Sequence, residues 1–256
     1  MSGRRSGERV ESRTFAPPPA LAAVVDCFWA ARWDLRGQEP HVVELLADPC
    51  VNIAFEGEER RIVGLSTRLW RRELAGAGLV RAVKLRAGAA RALLGHPVNR
   101  FTDRILPLDP VVPCGGDLGE RLLGPADHRD GLAVLEEWVA SRMTLPPHPD
   151  TVRAADLVAR IAADPAITTT DRLSRVAALG PRGLQRLFRD EVGAPPKWVI
   201  RRFRLQEAAL RLERGDTPTV AALAAELGYA DHAHLTRDFA AATGRSPTSF
   251  AREVWD

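Results

Sequence analysis

Two stretches of this chain say nearly the same thing, and that repetition constrains the fold more than any other feature. The first is RLSRVAALGPRGLQRLFRDEVGAPP, residues 172–196; the second is ALAAELGYADHAHLTRDFAAATGRSP, residues 222–247. Aligned on Leu184-Gln185-Arg186-Leu187-Phe188 and Leu235-Thr236-Arg237-Asp238-Phe239, each predicts a short helix, a tight turn and a second helix with Leu and Phe four apart. Each second helix runs into a glycine with a proline three residues on: Gly193 with Pro196, and Gly244 with Pro247. This is helix-turn-helix grammar, in which a first helix braces a second that can enter a major groove.

Helical geometry assigns the faces. In the first copy Leu184, Leu187 and Phe188 share one side, so at about 100° per residue Arg182, Gln185, Arg186 and Arg189 fall on the other. Arginine can donate two bonds to guanine O6 and N7, and glutamine can pair with adenine N6 and N7. In the second copy Leu235, Phe239 and Ala242 turn inward, and Ala233, Thr236, Arg237 and Ala240 turn out. His232 and His234 flank that outward face in the first helical turn, behind Asp231 as the expected N-cap. Residues two apart on a helix do not face one another, so these histidines are not expected to grip a metal as an i, i+4 pair would. No Ser, Cys or Lys stands beside them as a nucleophile, so neither catalysis nor a cofactor is expected.

The charge distribution agrees. Between Arg172 and Arg204 nine basic residues stand against two acidic ones, an excess of +7 in a chain whose net charge is +3, which leaves −4 for the rest. One-sided basicity on a small segment is the footprint of a polyanion partner. Elsewhere the chain is of ordinary globular composition, 45% hydrophobic and 27% charged over 256 residues, enough for two modest domains. No run approaches the roughly 20 apolar residues of a membrane helix, and MSGRRSGERVESR has no apolar segment behind it, so a soluble cytoplasmic, nucleoid-associated protein with no membrane partner is expected. Cys27, Cys50 and Cys114 are dispersed, odd in number and without CxxC spacing, and read as core thiols.

The remaining sequence predicts an α+β protein: a β-rich N-terminal domain followed by an all-α DNA-binding domain with two helix-turn-helix motifs joined by a long helix. Residues 1–12 are expected to be disordered, residues 13–145 to form the α+β sensor or accessory domain, residues 146–150 to form a linker, and residues 151–256 the DNA-binding domain. The helix-turn-helix units are placed at about 171–193 and 220–244. HVVELLADPCVNIAFEGEERRIVGL shows short apolar runs broken by hairpin punctuation, LVRAVKLRAG alternates like a strand, and a helix is expected over 132–143. The prolines of LPPHPD stop one helix, and Asp150 is a candidate cap for the next. Phe28, Trp29, Trp33 and Trp70 read as core, with an apolar ligand pocket as the alternative.

The doubled motif with a long helix between its halves resembles the AraC/XylS family of transcriptional regulators over residues 151–256. In the second copy Ala224, Gly228-Tyr229, Asp231, Leu235, Arg237, Phe239, Gly244 and Ser246-Pro247 stand where that family's signature has them; in the first, residues 184–188 with Arg204-Leu205 and Ala208 do so. The chain departs at Ser174 (usually Ala), Ala178 (usually Gly), Gly180 (usually a capping Ser) and Pro195 (usually Ser). The N-terminal half looks like a β-rich sensor or accessory domain of some family members, through residues 45–56 and 83–108. The resemblance implies two units about 34 Å apart in successive major grooves. It implies contacts from Arg182, Gln185 and Arg186 and from His232, Ala233, His234, Thr236 and Arg237. Arg189, Arg201 and Arg202 are phosphate candidates on charge and expected exposure alone.

The reading is therefore a sequence-specific transcriptional regulator of double-stranded promoter DNA, and not an enzyme. Its partners would include RNA polymerase if it activates, a small-molecule effector, or a second copy in a homodimer. One alternative gives the N-terminal domain only protein-interaction or dimerisation work, with no effector. A regulator that takes a methyl group on an N-terminal cysteine would need an activated thiolate, usually in a cysteine cluster that this chain lacks. A module for an acidic protein partner would show no sequence-specific retardation of DNA.

Overall fold

The computed structural model describes residues 10–143, 146–216 and 219–255, with side chains through Arg252. The chain builds α+β architecture in the expected order, a sheet-based N-terminal domain and then helices alone. The strands are β1 (Val10–Phe15), β2 (Val25–Leu35), β3 (His41–Leu45), β4 (Asn52–Glu56), β5 (Glu59–Val63), β6 (Trp70–Leu74), β7 (Gly76–Leu85) and β8 (Ile105–Pro107). Six of them form one antiparallel sheet in the order β1-β2-β7-β4-β5-β8, and β3 pairs with β6 apart from it. The β4–β5 hairpin closes over Gly57 and Glu58, with Glu56 opposite Glu59 and Gly57 at φ +54, the left-handed conformation a two-residue turn requires.

Alternation sorts the sheet's two faces. Phe28, Ile53, Phe55, Ile62, Val83 and Leu85 pack beneath α1 (Arg91–Leu94), α2 (Leu118–Leu123) and α3 (His128–Arg142), whose Leu122, Leu135 and Trp138 complete that core. Trp33, Leu35, Ala54, Val80 and Ala82 form a second cluster on the opposite face with Leu74 of β6. Arg81 of β7 is fully buried on the helical side, where its guanidinium donates to the carbonyls of Leu122, Pro125 (2.8 Å) and Asp127 (2.9 Å). It thereby ties the α2–α3 loop to the sheet.

Two expectations need correction. Residues 10–12 are not disordered: Val10, Glu11 and Ser12 pair with Trp33, Arg32 and Ala31 as the edge of the main sheet. Their polar composition suits an exposed edge strand, and local composition does not reveal a pairing partner twenty residues on. Residues 1–9 of that expectation lie outside the described residues. Nor does Asp150 cap α4 (Pro149–Ala163); the His148 imidazole Nδ1 accepts from the Asp150 amide at 3.2 Å, and Asp150 occupies the first turn. Two of the five residues expected as linker are thus helical. Phe28, Trp29 and Trp33 do not converge on a pocket, since Phe28 lies in the helix-covered core and Trp33 in the opposite cluster, with Trp29 packed against that cluster.

The helical half continues with α5 (Thr170–Ala177), α6 (Pro181–Leu187), α7 (Pro196–Arg214), α8 (Val220–Glu226), α9 (His232–Thr243) and α10 (Pro247–Trp255). It holds two separate cores. One gathers Leu157, Val158, Leu173, Leu184, Leu187, Phe188, Val199 and Ile200; the other gathers Leu205, Ala208, Leu212, Leu223, Leu235 and Phe239. The helix α7 supplies residues to both. No described helix is long and apolar enough to cross a membrane.

Candidate nucleic-acid interface

The first unit is α5, a turn and α6. Thr169 caps α5, its Oγ1 accepting from the Arg172 amide at 3.2 Å, and Leu173 and Ala177 bury its inner face. The turn passes through Ala178 at φ +47, a left-handed conformation that costs a residue with a Cβ roughly 1–2 kcal/mol. Relief of that strain outweighs the added freedom of the unfolded chain, so Ala178→Gly is expected to stabilise by about 0.5–1 kcal/mol, read as a rise in urea midpoint. A lowered midpoint would contradict it.

Gly180 begins α6 with no side-chain cap, and Pro181 occupies the first turn, where its missing N–H costs nothing. Leu184 and Leu187 are buried, while Arg182, Gln185 and Arg186 are exposed. Beyond Leu187 the helix widens to π geometry over Phe188–Val192 and ends at Gly193, φ +89. Arg189 is exposed on this last turn and pairs with Asp190 at 2.7 Å, which holds the Asp190 carboxyl below the usual carboxylate range.

The second unit repeats the plan. Thr219 caps α8 through the Ala222 amide at 3.1 Å, Gly228 turns the chain at φ +70, and Asp231 caps α9 by accepting from the His234 amide at 2.7 Å. Leu235 and Phe239 are fully buried; His232, Ala233, His234 and Arg237 are exposed, and Thr236 is half-buried. Arg237 Nε donates to the Ala233 carbonyl at 3.2 Å. His232 and His234 stand apart as their spacing requires, and the His234 ring meets Tyr229 edge-on at 5.1 Å.

Sequence reasoning missed a set of residues joining α7 to the second unit. Asp238 lies 3.6 Å from Arg201 Nη1 on α7 and 3.7 Å from His234 Nε2 on its own helix. Arg204 donates to the Leu227 carbonyl at 2.7 Å and lies over the Tyr229 ring at 3.8 Å. Helical periodicity puts Asp238 beside His234 but says nothing of a residue thirty-seven positions earlier.

Arg202 contradicts the exposure assumed for it. It is 2% exposed, its Nη2 donating to the carbonyls of Ser66 (3.3 Å) and Thr67 (2.9 Å), with the guanidinium 4.6 Å from the Trp198 ring. Burial, reinforced by the charge of Arg201, pushes its pKa down to about 10. Neighbours on a helix point about 100° apart, so Arg201 takes the solvent side of α7 and Arg202 the side covered by the N-terminal domain. Arg202→Ala is therefore expected to lower stability by about 1–3 kcal/mol, the cost of buried acceptors left unpaired, with an unchanged salt slope of DNA binding. A slope flattened by about one phosphate contact, with stability intact, would restore the phosphate role.

The cysteine thiols stay protonated. Burial drives Cys50 up to about 12 and Cys114 up to about 11, and raises Cys27 as well. None has the thiolate character that methyl acceptance requires. Among the described residues no group of three or more His, Cys, Asp or Glu is placed to hold a metal ion.

Two helix-turn-helix units on one connecting helix, each presenting its second helix to solvent, define a two-headed helix-turn-helix module. Residues 173–253 match the family described as "Helix-turn-helix domain", and residues 13–107 match "Domain of unknown function (DUF6597)". The chain thus carries a helix-turn-helix domain over residues 173–253. It is similar to HTH-type transcriptional regulator Rv1931c of Mycobacterium tuberculosis, 35% identical over 80 residues, a match spanning 31% of this chain and 30% of that protein. Among solved structures it is similar to a probable AraC family transcriptional regulator from Rhodopseudomonas palustris (27% identity, TM-score 0.36, 40% of this chain and 96% of that one). It is also similar to ToxT of Vibrio cholerae (8% identity, TM-score 0.44, 96% of this chain and 98% of that one).

Proposed function

We propose that this protein is a sequence-specific transcriptional regulator that inserts α6 and α9 into successive major grooves of promoter DNA. The observation that carries the reading is the doubled arrangement: in each unit Leu and Phe four residues apart are buried, and Arg182, Gln185 and Arg186, or His232, Ala233, His234 and Arg237, are left in solvent. Side chains of this kind suit base edges, with Arg186 offering two donors to guanine, Gln185 a donor and an acceptor to adenine, and Ala233 an apolar contact for a thymine methyl. Thr236 reaches the rim of the same face. Arg189 and Arg201 suit phosphates, their carboxylate partners being exchanged for the backbone on binding. Capped by Asp231, α9 still leaves backbone N–H groups in its first turn for a phosphate.

On this reading the protein works in the cytoplasm on nucleoid DNA, carries no catalytic reaction, and meets RNA polymerase if it activates. The N-terminal domain modulates binding through a small-molecule effector or through dimerisation. The second reading gives it protein-interaction or dimerisation work alone. It is favoured by the filled core of the main sheet, where Phe28, Phe55 and Trp138 occupy the space between sheet and helices.

Selection of duplexes from a random pool by the intact chain tests the proposal. Enrichment of one sequence with two conserved blocks about one helical turn apart is the expected result. Equal retention of all duplexes, or of none, would overturn it.

A further inference from the structure

The two helix-turn-helix units have separate cores; within the C-terminal half α7 contributes to both, and Thr168, just ahead of α5, lies close to the Gly228 turn of the second unit. Val199 and Ile200 near the start of α7 belong to the first core, and Leu205, Ala208 and Leu212 further on belong to the second. A helix of 19 residues is about 28 Å long. A tilt of about 10° at one end would carry the far unit through about 5 Å, more than the ~3.4 Å between stacked base pairs. Faithful reading of two grooves therefore calls for restraint beyond α7 itself.

The N-terminal domain supplies contacts to both units and to the helix between them. On the first unit, Leu65 is fully buried in the core beside Leu157 and Leu173. The Thr102 hydroxyl donates to the Gly193 carbonyl at 2.7 Å, and Arg91 pairs at 2.8 Å with Glu191, which also accepts from Thr151. Gly193 fits so closely that a Cβ there would lie 2.9 Å from Thr102 Oγ1 and 3.0 Å from Val98. On α7, Arg202 holds the carbonyls of Ser66 and Thr67, and Gln206 Nε2 donates to the Leu46 carbonyl (3.1 Å) and to Asp48 Oδ1 (2.7 Å). On the second unit, Leu46 packs against the core of Leu205, Leu235 and Phe239, and Glu44 pairs with Arg245 at 2.7 Å. Asp48 is itself fixed to the main sheet by Lys84, which also pairs with Asp26 at 2.9 Å.

We propose that the N-terminal domain is a splint: residues 44–48 and 65–67 clamp both units against α7 and so set the spacing of half-sites the protein accepts. Leu46, Asp48, Gln206 and Glu44 are positioning residues for DNA recognition, although none lies on the exposed faces of α6 and α9. The anchoring of Asp48 to both Lys84 and Gln206 makes the splint continuous from sheet to connecting helix. The inference rests on the DNA-binding reading and adds a source of specificity outside the helix-turn-helix domain.

The experiment uses the full chain and the duplex it selects, alongside the same duplex with one base pair inserted between the two conserved blocks. The intact protein is expected to lose about 100-fold in affinity on insertion, the worth of two base contacts. The Leu46→Ser/Gln206→Leu double variant is expected to bind the native spacing within about threefold of the intact protein, yet to lose only about 10-fold on insertion. The single variant Gln206→Leu should fall between them. A double variant that rejects the insertion as strictly as the intact chain overturns the splint while leaving DNA binding standing. Loss of the native-spaced site as well, with the melting temperature unchanged, also overturns it. If the intact chain selects no duplex, the DNA-binding reading falls and takes the splint with it.

Discussion

Phe239→Ala is expected to destabilise the second unit by about 3–5 kcal/mol, the cost of deleting a buried phenyl ring. Phe239 has no solvent exposure, packs with Leu235, Leu223 and Leu212, and meets Phe250 of α10 edge-on at 5.4 Å. Because the second core is separate from the first, the loss falls on α8 to α10 and leaves α5 and α6 folded. Urea unfolding should show an early partial transition, and hydrogen exchange should speed up in α9 before α6. Phe239→Leu, which keeps most of the volume, should cost well under half as much. A uniform loss below about 1 kcal/mol would contradict the packing described.

Arg186→Ala carries the second large effect, about 1–3 kcal/mol of binding free energy together with relaxed preference at one base position. The side chain is exposed on α6 directly after Gln185, and its charge acts on Asp190 one helical turn on. A base reader loses discrimination at one position and little affinity for random duplex. A phosphate contact loses both equally and flattens the salt slope by about one unit. Measuring Arg186→Ala on the selected site, on a set of single-base variants and on random duplex separates the two. Uniform weakening across all three would remove Arg186 from the readers.

Much of the helical half was legible because its constraints are local. Leu-x-x-x-Phe spacing fixes which face of α9 is buried, an Asp cap marks where α9 begins, and a glycine marks where each second helix stops. The hairpin at Gly57 was legible for the same reason. What escaped were relations between distant segments. Arg202 looked like one more cation in a basic run because a helix pattern records which residues share a face, not which part of the chain covers it. Residues 10–12 looked disordered since an edge strand with charged side chains has the composition of a tail. Asp238 gained its role only when α7 brought Arg201 alongside. The departures at Ala178 and Gly180 proved structural: the turn keeps its left-handed conformation with alanine in place, and α6 starts without a side-chain cap.

The central claim is that one chain reads two successive major grooves with α6 and α9. Hydroxyl-radical and methylation footprinting of the intact protein on its selected duplex tests it most directly. The account predicts two blocks of major-groove guanine protection about one helical turn apart on one side of the duplex, with Arg186→Ala erasing a position in one block and Arg237→Ala in the other. A single protected block, or two blocks both unaffected by these substitutions, would contradict it.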